Sequence, residues 1–325
     1  MSRIIFMGTP DFAEKSLKKL NESEDNEIIA VVTNTDKPKG RGMKLFQSPV
    51  KQYAIENKLK IYQPEKIKLN IEFIETLKEM KPDFICVVAY GKILPQEILD
   101  IPKYGCINVH ASLLPKYRGA APIQWAIING EEITGVTTMY MDTQMDTGDI
   151  ILKKEVVIGK DETTGELWDR LADIGADLLL ETIEKIKDGS APREQQGNNY
   201  SLAPMLNKDM SKIDWNKLST IKIKNLVRGL NPIMGAYTSL NNKKIKFWKV
   251  DIVDEKEFLN KYEIEYNIEK LNPGYIIYSN AKDGLFIKTK DGILTVLEIQ
   301  GENSKKMSIF DFLRGNRLEK GEIFI

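Results

Sequence analysis

The stretch INVHASLLPKYRGAAPIQWAI, residues 107–127, contains His110, the only histidine in the chain of 325 residues. An apolar, β-prone run leads into this histidine, and prolines and a glycine interrupt the chain after it. Successive side chains of a strand alternate between its two faces, so Asn108 and His110 share one face. Open α/β sheets bind ligands at the carboxyl ends of their strands. We therefore predict a ligand site where this strand ends.

Patterns typical of buried strands precede this stretch and alternate with helical patterns. The predicted strands cover residues 3–7, 28–33, 84–89 and 106–109, and the predicted helices cover residues 12–20, 49–57 and 71–80. This alternation predicts an α/β fold, with a parallel sheet and crossover helices. Two further strands are predicted at residues 135–141 and 150–158. A capping box of Thr163 and Glu166 then begins a long amphipathic helix, which Gly189 ends.

The composition changes after this helix. Residues 190–206 are polar and rich in turn-forming residues, which is typical of an interdomain linker. Further along, the sequence predicts a helix at residues 219–230 and short strands at residues 236–240, 244–250, 274–279, 284–289 and 293–299. Short strands separated by turns predict a small barrel, of which the OB type is one example. The predicted organisation is a first domain over residues 1–189, a linker over 190–206 and a second domain over 207–325.

Overall composition limits the classes of protein. The chain has 47 Lys and Arg against 47 Asp and Glu, a balance that neither indicates nor excludes a polyanionic partner. It begins without a signal-peptide pattern, and no stretch reaches the roughly 20 apolar residues of a membrane helix. Cys86 and Cys106 lie in apolar strands, which favours buried free thiols and a cytoplasmic location. One histidine and two scattered cysteines disfavour a zinc site, so we predict no metal.

The pair Asn108 and His110 combines an amide donor with an imidazole. This combination suits the stabilisation of an oxyanion and the movement of a proton, and it suits metal binding poorly. The alternative is an interior histidine that serves only packing. The loop after the pair, residues 112–122, favours function because its leucines need an apolar surface, and it predicts one wall of a pocket for a flat, partly apolar ligand.

A second polar cluster lies in MDTQMDTGDI, residues 141–150. Asp142, Asp146 and Asp149 fall within one turn after a predicted strand. One of these carboxylates is expected to orient the imidazole or to accept protons from an amine. The alternative is a loop whose aspartates cap local turns.

The amino-terminal stretch IIFMGTPDFAEKSL has the strand–turn–helix pattern of a dinucleotide site. Only Gly8 stands where that site needs the three glycines of G-x-G-x-x-G, so a nicotinamide cofactor is not expected. Gly8 and Thr9 are expected to shape a turn beside the pocket.

Six motifs follow one another in an order that resembles a known family. They are FMGTPDFA, DKPKGRGMKLFQSPVK, VVAYGKILP, INVHASLLPKYRGAAPIQWAI, MDTGDI and FLRGNRL. They resemble the N10-formyltetrahydrofolate-dependent formyltransferases, and the likeness covers nearly the whole chain. The basic Gly-Arg-Gly loop and the second domain are similar to the methionyl-tRNA formyltransferase branch. The family's fold is a Rossmann-like, mostly parallel sheet with flanking helices, followed by a smaller OB-like β-barrel.

This resemblance implies formyl transfer from N10-formyltetrahydrofolate, as a co-substrate, to the amino group of methionyl-initiator tRNA, with no metal. It implies a catalytic triplet of Asn108, His110 and Asp146. The residues implied to bind folate are Ser112, Leu113, Leu114 and Pro115, together with Val87, Val88, Ala89 and Tyr90 at the end of a strand. Arg41 matches an arginine that engages the end of the initiator tRNA. Membrane association and an obligate protein partner are not implied.

Two basic regions predict contacts with tRNA phosphates. The first is the loop at residues 36–45, with Lys37, Lys39, Arg41 and Lys44. The second, residues 217–249, has no acid and contains Lys217, Lys222, Lys224, Arg228, Lys243, Lys244, Lys246 and Lys249. The alternative is a solvated helix face and hairpin.

Three other functions compete with this interpretation. A formyltransferase for nucleotide-linked amino sugars shares the catalytic triplet and can have a second domain. A purine-pathway formyltransferase normally lacks that domain. A non-catalytic module that binds RNA or folate would not need the intact triplet. The basic residues and the Gly-Arg-Gly loop favour tRNA.

Overall fold

The computed structural model describes residues 1–39, 44–264 and 267–325. Contacts divide the chain into two compact units. The first comprises Met1–Pro122, Ile133–Val157 and Leu167–Met205, and the second comprises Ile123–Glu132, Ile158–Glu166 and Leu206–Ile325. Most of the predicted linker therefore belongs to the first unit. The predicted domain limits stay a prediction.

Short strands and helices alternate through residues 1–205. The strands are β1 (Ser2–Gly8), β2 (Asn26–Val32), β3 (Lys37–Lys39), β4 (Lys44–Phe46), β5 (Ile61–Tyr62), β6 (Phe84–Val88), β7 (Cys106–His110), β8 (Ile133–Tyr140) and β9 (Ile150–Val157). The helices are α1 (Asp11–Glu22), α2 (Pro49–Glu56), α3 (Ile71–Glu79), α4 (Gln96–Leu99), α5 (Pro122–Asn129) and α6 (Thr164–Asp188). The hairpin β3–β4, the short strand β5 and the short helix α4 were not predicted.

Seven strands form the sheet of the first unit in the order β5-β2-β1-β6-β7-β8-β9. The pairs from β5 to β7 are parallel, whereas β8 and β9 are antiparallel to their neighbours. The predicted mostly parallel sheet is confirmed. Its central strands β6 and β7 are buried along their whole length, as expected for strands covered on both faces. The carboxyl ends of β1, β6 and β7 therefore meet at one edge.

Helix α6 has the amino-terminal cap that its sequence predicts. Glu166 accepts hydrogen bonds from the backbone nitrogen and the hydroxyl of Thr163, and the Thr163 hydroxyl accepts one from the Glu166 nitrogen. The helix ends at Asp188, and Gly189 follows with a φ of 79°. Among the helices in the described residues, none has the length and apolarity needed to cross a membrane.

The second unit contains an antiparallel sheet in the order β10-β11-β14-β13-β12, and β15 pairs with β14. Its strands are β10 (Ala236–Leu240), β11 (Lys243–Val253), β12 (Ile276–Asn280), β13 (Gly284–Lys288), β14 (Ile293–Gln300) and β15 (Met307–Ser308). Its helices include α7 (Thr220–Gly229), α8 (Glu255–Lys261) and α9 (Ile309–Gly315). The five long strands and α7 match the sequence prediction, whereas α8, α9 and β15 were not predicted.

The last residues of the chain join the two outer strands of this sheet. Ile325 exchanges two backbone hydrogen bonds of 2.9 Å with Ser239 of β10. At the other edge, the Phe324 nitrogen donates to the Gly274 oxygen at 2.9 Å, and Ile276 of β12 donates to the Glu322 oxygen at 2.8 Å. Both edges are thus paired, which removes the open edges that a sheet of this kind would otherwise expose.

An aromatic cluster anchors this closing segment in the core. The ring of Phe324 lies 6.0 Å from that of Trp215 and 5.6 Å from that of Phe247, measured between centroids. All three side chains are buried. Burial of Phe324 therefore couples the carboxyl terminus to the core of the second unit.

We expect Phe324→Ala to lower the free energy of unfolding by about 3–5 kcal/mol, because it removes a buried ring and leaves a cavity. Equilibrium unfolding in guanidinium chloride measures the change. The control is Ile323→Ala, which truncates a side chain that is 40% exposed and should cost less than about 1 kcal/mol. Equal effects of the two substitutions would contradict the anchoring role of Phe324.

Candidate active site

The ends of three parallel strands build the site. Gly8 of β1 pairs with Val88 of β6, and Val88 pairs with Val109 of β7. Asn108 and His110 therefore lie at the carboxyl edge of the sheet. Both are buried, with 9% and 6% of their surfaces exposed. A ligand at this edge would meet an amide and an imidazole side by side.

Both ring nitrogens of His110 face oxygen atoms. Nε2 lies 2.9 Å from the backbone oxygen of Tyr117. A carbonyl oxygen only accepts, so Nε2 is the donor in this contact. Nδ1 faces Oδ2 of Asp146 at 3.6 Å. Nδ1 is thus the nitrogen that remains for proton exchange with the carboxylate or for contact with a ligand.

The loop between β7 and α5 holds Asp146 as well as His110. Oδ2 of Asp146 accepts a hydrogen bond from the backbone nitrogen of Gly119 at 2.8 Å. Asp146 has a φ of 56°, Tyr117 one of 61° and Gly119 one of 125°. Such positive φ values are energetically unfavourable for any residue other than glycine. The loop therefore supplies one contact to each member of the pair, and the relative position of ring and carboxylate depends on it.

Asn108 differs from His110 in having no protein partner. Within the described residues, nothing hydrogen-bonds its side-chain amide. A buried amide without a partner costs free energy, which a ligand acceptor would recover. This environment suits a donor directed at a negatively charged oxygen.

Only one of the three candidate aspartates faces the histidine. Asp142 is exposed and accepts hydrogen bonds from the hydroxyl of Thr147 and the nitrogen of Gln144. Asp149 pairs with Arg193 at 2.6 Å. Asp142 therefore caps its own turn, as the alternative interpretation expected, and Asp146 is the carboxylate of the site.

Hydrogen bonds tie the segment Ser112–Pro115 to β8. The hydroxyl of Thr137 donates to the Ser112 oxygen at 2.6 Å and accepts from the Leu114 nitrogen at 3.1 Å. The side chain of Leu114 is buried with Met139 and Ile150, whereas Leu113 and Pro115 are partly exposed. The hydroxyl of Ser112 donates to the Lys116 oxygen at 2.6 Å. The segment is thus held rigidly and presents partly exposed apolar groups.

The segment Val87–Tyr90 covers the last two residues of β6 and the two residues that follow it. Val87, Val88 and Tyr90 are buried, whereas Ala89 is exposed with a φ of 45°. The hydroxyl of Tyr90 is buried without a hydrogen-bond partner in the described part of the chain, and this burial raises its pKa. Asn34 was missed from sequence, although it directly follows a predicted strand. Its amide donates to the Tyr90 oxygen at 2.9 Å and to the hydroxyl of Thr9 at 3.0 Å, joining three strand ends.

The first basic region is described only in part. Lys37 is exposed. Arg41 lies outside the described residues, as do the side chains of Lys39 and Lys44. At the base of the region, Asp36 accepts hydrogen bonds from Lys51 at 2.6 Å and from Gln63 at 3.0 Å. These bonds lower the pKa of the Asp36 carboxyl.

Four of the eight predicted cations of the second basic region have internal partners. One is Lys217, which pairs with Asp214 at 3.2 Å, and the others are Lys224, Arg228 and Lys246. The ammonium group of Lys224 lies between Asp161 at 2.5 Å and Asp251 at 2.8 Å. Burial opposes its charge, but the two hydrogen bonds outweigh this effect and raise its pKa.

Arg228 donates to the backbone oxygens of Gly159 and Glu162, and burial lowers its pKa. Lys246 donates to the Met234 oxygen at 2.7 Å, and burial, Lys244 and Lys208 together lower its pKa. Lys222, Lys243 and Lys244 are exposed. The charged groups of Lys224 and Arg228 are therefore engaged within the protein, which the sequence analysis did not anticipate.

Residues 193–203, which we call the strap, pack against the site. The backbone of Glu194 exchanges two hydrogen bonds with Ile150 of β9. Further along, the Arg118 nitrogen donates to the Ser201 oxygen at 2.9 Å and the Ala203 nitrogen donates to the Arg118 oxygen at 2.7 Å. These contacts bind the strap to both loops of the site, which the prediction of a linker did not anticipate.

The described residues contain no group of three or more His, Cys, Asp or Glu side chains arranged to hold a metal ion. Cys86 and Cys106 are free and buried, as predicted, and burial raises the pKa of both thiols.

Comparison with known families is decisive for the class of protein. The profile described as "Formyl transferase" matches residues 2–183, and the one described as "Formyl transferase, C-terminal domain" matches residues 205–317. The chain belongs to the formyl transferase family.

Full-length relatives support this assignment. The chain is 51% identical to the methionyl-tRNA formyltransferase of Clostridioides difficile (strain 630), over 98% of either chain. It is 49% identical to the methionyl-tRNA formyltransferase of Caldanaerobacter subterraneus subsp. tengcongensis, over 99% of either chain.

Solved structures of lower identity share the fold. An N-formyltransferase of Helicobacter canadensis, in complex with folinic acid and dTDP-3-aminofucose, has a TM-score of 0.62 at 22% identity, over 93% of this chain and 100% of that one. HypX of Aquifex aeolicus, in complex with tetrahydrofolic acid, has a TM-score of 0.59 at 17% identity, over 96% of this chain and 47% of that one.

We expect Gly119→Ala to lower the free energy of unfolding by more than about 1 kcal/mol. Its β-carbon would lie 2.6 Å from the backbone oxygen of Ala203, at a φ of 125°. Chemical denaturation measures the change. Gly197→Ala is the matched control in the strap, because its β-carbon would have no atom within 4 Å, and it should stay within about 0.5 kcal/mol of the parent protein. An unchanged stability of Gly119→Ala would show that the loop and the strap do not pack this closely.

Proposed function

We propose that this protein transfers the formyl group of N10-formyltetrahydrofolate to the free amino group of methionyl-initiator tRNA. The product is N-formylmethionyl-tRNA for translation initiation. The observation that carries the proposal is the buried His110, which faces the partly buried Asp146 and lies beside Asn108, whose amide forms no hydrogen bond within the described residues. Full-length relatives named methionyl-tRNA formyltransferase support the choice of acceptor.

The reaction forms a bond between the α-nitrogen of methionine and the formyl carbon, and it breaks the bond from that carbon to N10 of the folate. Attack of the amine leaves negative charge on the formyl oxygen. We assign the amide of Asn108 as a hydrogen-bond donor to this oxygen. Nε2 of His110 keeps its hydrogen for the Tyr117 oxygen, so Nδ1 becomes a second donor only once it has taken up a proton. One such donor contributes about 2.7–4 kcal/mol to transition-state stabilisation.

The amine loses one proton on transfer, and N10 gains one. We assign Asp146 two tasks, to orient the ring of His110 and to accept a proton from the attacking amine. Nδ1 and Oδ2 lie 3.6 Å apart, which is longer than a hydrogen bond. This distance must shorten before a proton passes between them, as is common for catalytic contacts when the ligand binds. General acid–base help of this kind contributes on the order of 10²–10⁴ to the rate.

We assign the folate to the apolar surface formed by the two segments that the sequence indicates. These are Ser112, Leu113, Leu114 and Pro115, and the strand end Val87, Val88, Ala89 and Tyr90. Hydrogen bonds from Thr137 and Asn34 hold their backbones, which supplies a preformed pocket wall. The exposed apolar part of Leu113 suits contact with a flat ring.

We assign the tRNA phosphates to exposed cations that form no ion pair or hydrogen bond within the described residues. These are Lys37 of the first unit, and Lys222, Lys243 and Lys244 of the second. Lys39, Arg41 and Lys44 stay in the proposal on sequence grounds, and Lys246 stays as a half-buried member. Lys224 and Arg228 are left out because they stabilise the second unit itself.

An acceptor assay tests the proposed function directly. Purified protein and radiolabelled N10-formyltetrahydrofolate are offered methionyl-initiator tRNA in one reaction and nucleotide-linked amino sugars in another. We expect label in the tRNA alone. Label in the amino sugar alone would overturn the proposed acceptor, and label in neither would overturn formyl transfer.

We expect His110→Ala and Asn108→Ala each to lower kcat by about two to three decades, because each removes a donor to the oxyanion. Steady-state formylation of methionyl-tRNA measures kcat, and circular dichroism checks the fold. The control is Asn198→Ala, an exposed asparagine without a side-chain hydrogen bond in the described residues. Turnover of a folded His110→Ala near that of the control would refute the assigned role.

We expect the affinity for tRNA to fall steeply with salt, because each neutralised phosphate releases counterions. Lys244→Glu should weaken tRNA binding and reduce the slope of log K against log [salt] by about one, with folate binding unchanged. Filter binding at several salt concentrations measures the slope. Lys282→Glu reverses an exposed charge elsewhere in the second unit and is the control. A dissociation constant insensitive to salt would contradict the assignment of phosphate contacts.

A further inference from the structure

We infer that Gln196 is a positioning residue that holds Asp146 against His110; this role rests on the proposed function. Gln196 lies in the strap, which the sequence predicts as a linker. Its side chain is partly buried and contacts both loops that form the site.

The amide nitrogen of Gln196 binds the loop that carries Asp146. Nε2 donates to the backbone oxygen of Asp146 at 3.0 Å and to that of Gly148 at 2.7 Å. An amide nitrogen has two hydrogens, and these two carbonyl groups use both. Gln196 therefore forms a hydrogen bond directly with the backbone of Asp146.

The amide oxygen of Gln196 binds the other loop. Oε1 accepts from Nε of Arg118 at 2.9 Å and from a terminal nitrogen of the same guanidinium at 2.7 Å. The guanidinium also lies over the ring of Tyr200, 4.7 Å from its centroid. Arg118 stands between Tyr117, whose oxygen holds Nε2 of His110, and Gly119, whose nitrogen holds Oδ2 of Asp146.

The side chain of Gln196 thus links the loop that holds the imidazole of His110 to the loop that carries the carboxylate of Asp146. The position of Asp146 needs such support, because its φ of 56° is a conformation that surrounding contacts must maintain. Backbone pairing of the strap with Ile150 and with Arg118 fixes both ends of the segment that carries Gln196. We therefore expect Gln196 to determine how accurately the carboxylate faces Nδ1.

Three variants test the inference. Gln196→Ala removes every side-chain hydrogen bond of this residue, including a long contact of 3.8 Å to the sulfur of Met139. Gln196→Glu keeps an acceptor for Arg118 but loses both donated bonds and places negative charge against two carbonyl oxygens. The matched control is Gln195→Ala, because Gln195 is exposed and forms no side-chain hydrogen bond within the described residues.

We expect kcat for methionyl-tRNA formylation to fall about 10- to 100-fold in both Gln196 variants, because a small misplacement of a catalytic group has effects of this size. KM for folate and for tRNA should change by less than about threefold, since neither substrate contacts Gln196 in the proposed arrangement. Thermal unfolding should shift by only a few degrees, and Gln195→Ala should match the wild type. Wild-type kcat in Gln196→Ala would overturn the role.

A double-mutant cycle separates positioning from a general loss of stability. If Gln196 acts through Asp146, then Gln196→Ala should change the single-turnover rate of Asp146→Asn by less than about twofold. The same 10- to 100-fold loss in both backgrounds would overturn the inference. The wild type is assayed alongside, and its failure to formylate methionyl-tRNA would count against the proposed function. An active wild type with an unaffected Gln196→Ala would count only against this residue.

Discussion

The site depends on two hydrogen bonds from one short loop. The oxygen of Tyr117 holds Nε2 of His110, and the nitrogen of Gly119 holds Oδ2 of Asp146. With Nε2 engaged, the ring cannot rotate without losing a buried hydrogen bond, so Nδ1 stays directed at the carboxylate. Strands of the sheet place Asn108 and His110, but this loop determines the geometry of proton exchange. The energetic reason is that leaving either buried group without its partner costs about 1–3 kcal/mol.

Some polar groups of the site have hydrogen-bond partners within the described residues and others have none. This difference separates the groups that shape the site from those available to a ligand. The amide of Asn108 and the hydroxyl of Tyr90 lack hydrogen bonds within the described residues. In contrast, the hydroxyl of Thr137 and the amide nitrogen of Asn34 each have two protein partners. Donors that shape the pocket wall are thus satisfied before a ligand arrives. Donors that would meet the ligand are left unsatisfied, at a cost to folding stability that binding can return. This division allows a site with a fixed wall to keep polar groups available for a ligand.

Much of this could be predicted because the signals are local. The buried strand ending in Asn108 and His110, the capping box of α6 and the strands of the second unit all follow from short periodic patterns. The closing segment at residues 322–325 has no such signal, since it pairs with Ser239 and Gly274, which are remote in sequence. The partners of Lys224 were not predicted for the same reason: its run contains no acid, but the fold brings Asp161 and Asp251 next to it.

The strap shows where composition alone is ambiguous. A flexible linker is polar and rich in glycine, asparagine and glutamine because it needs no core. A segment that must satisfy the backbone groups of two irregular loops has the same composition, because amide side chains both donate and accept. Irregular loops leave many carbonyl and amide groups unpaired by regular structure, and the two loops of the candidate site are of this kind. A polar segment that follows the last helix of a domain can therefore belong to the active site of that domain. In this protein the evidence is Gln196, which forms hydrogen bonds with both loops.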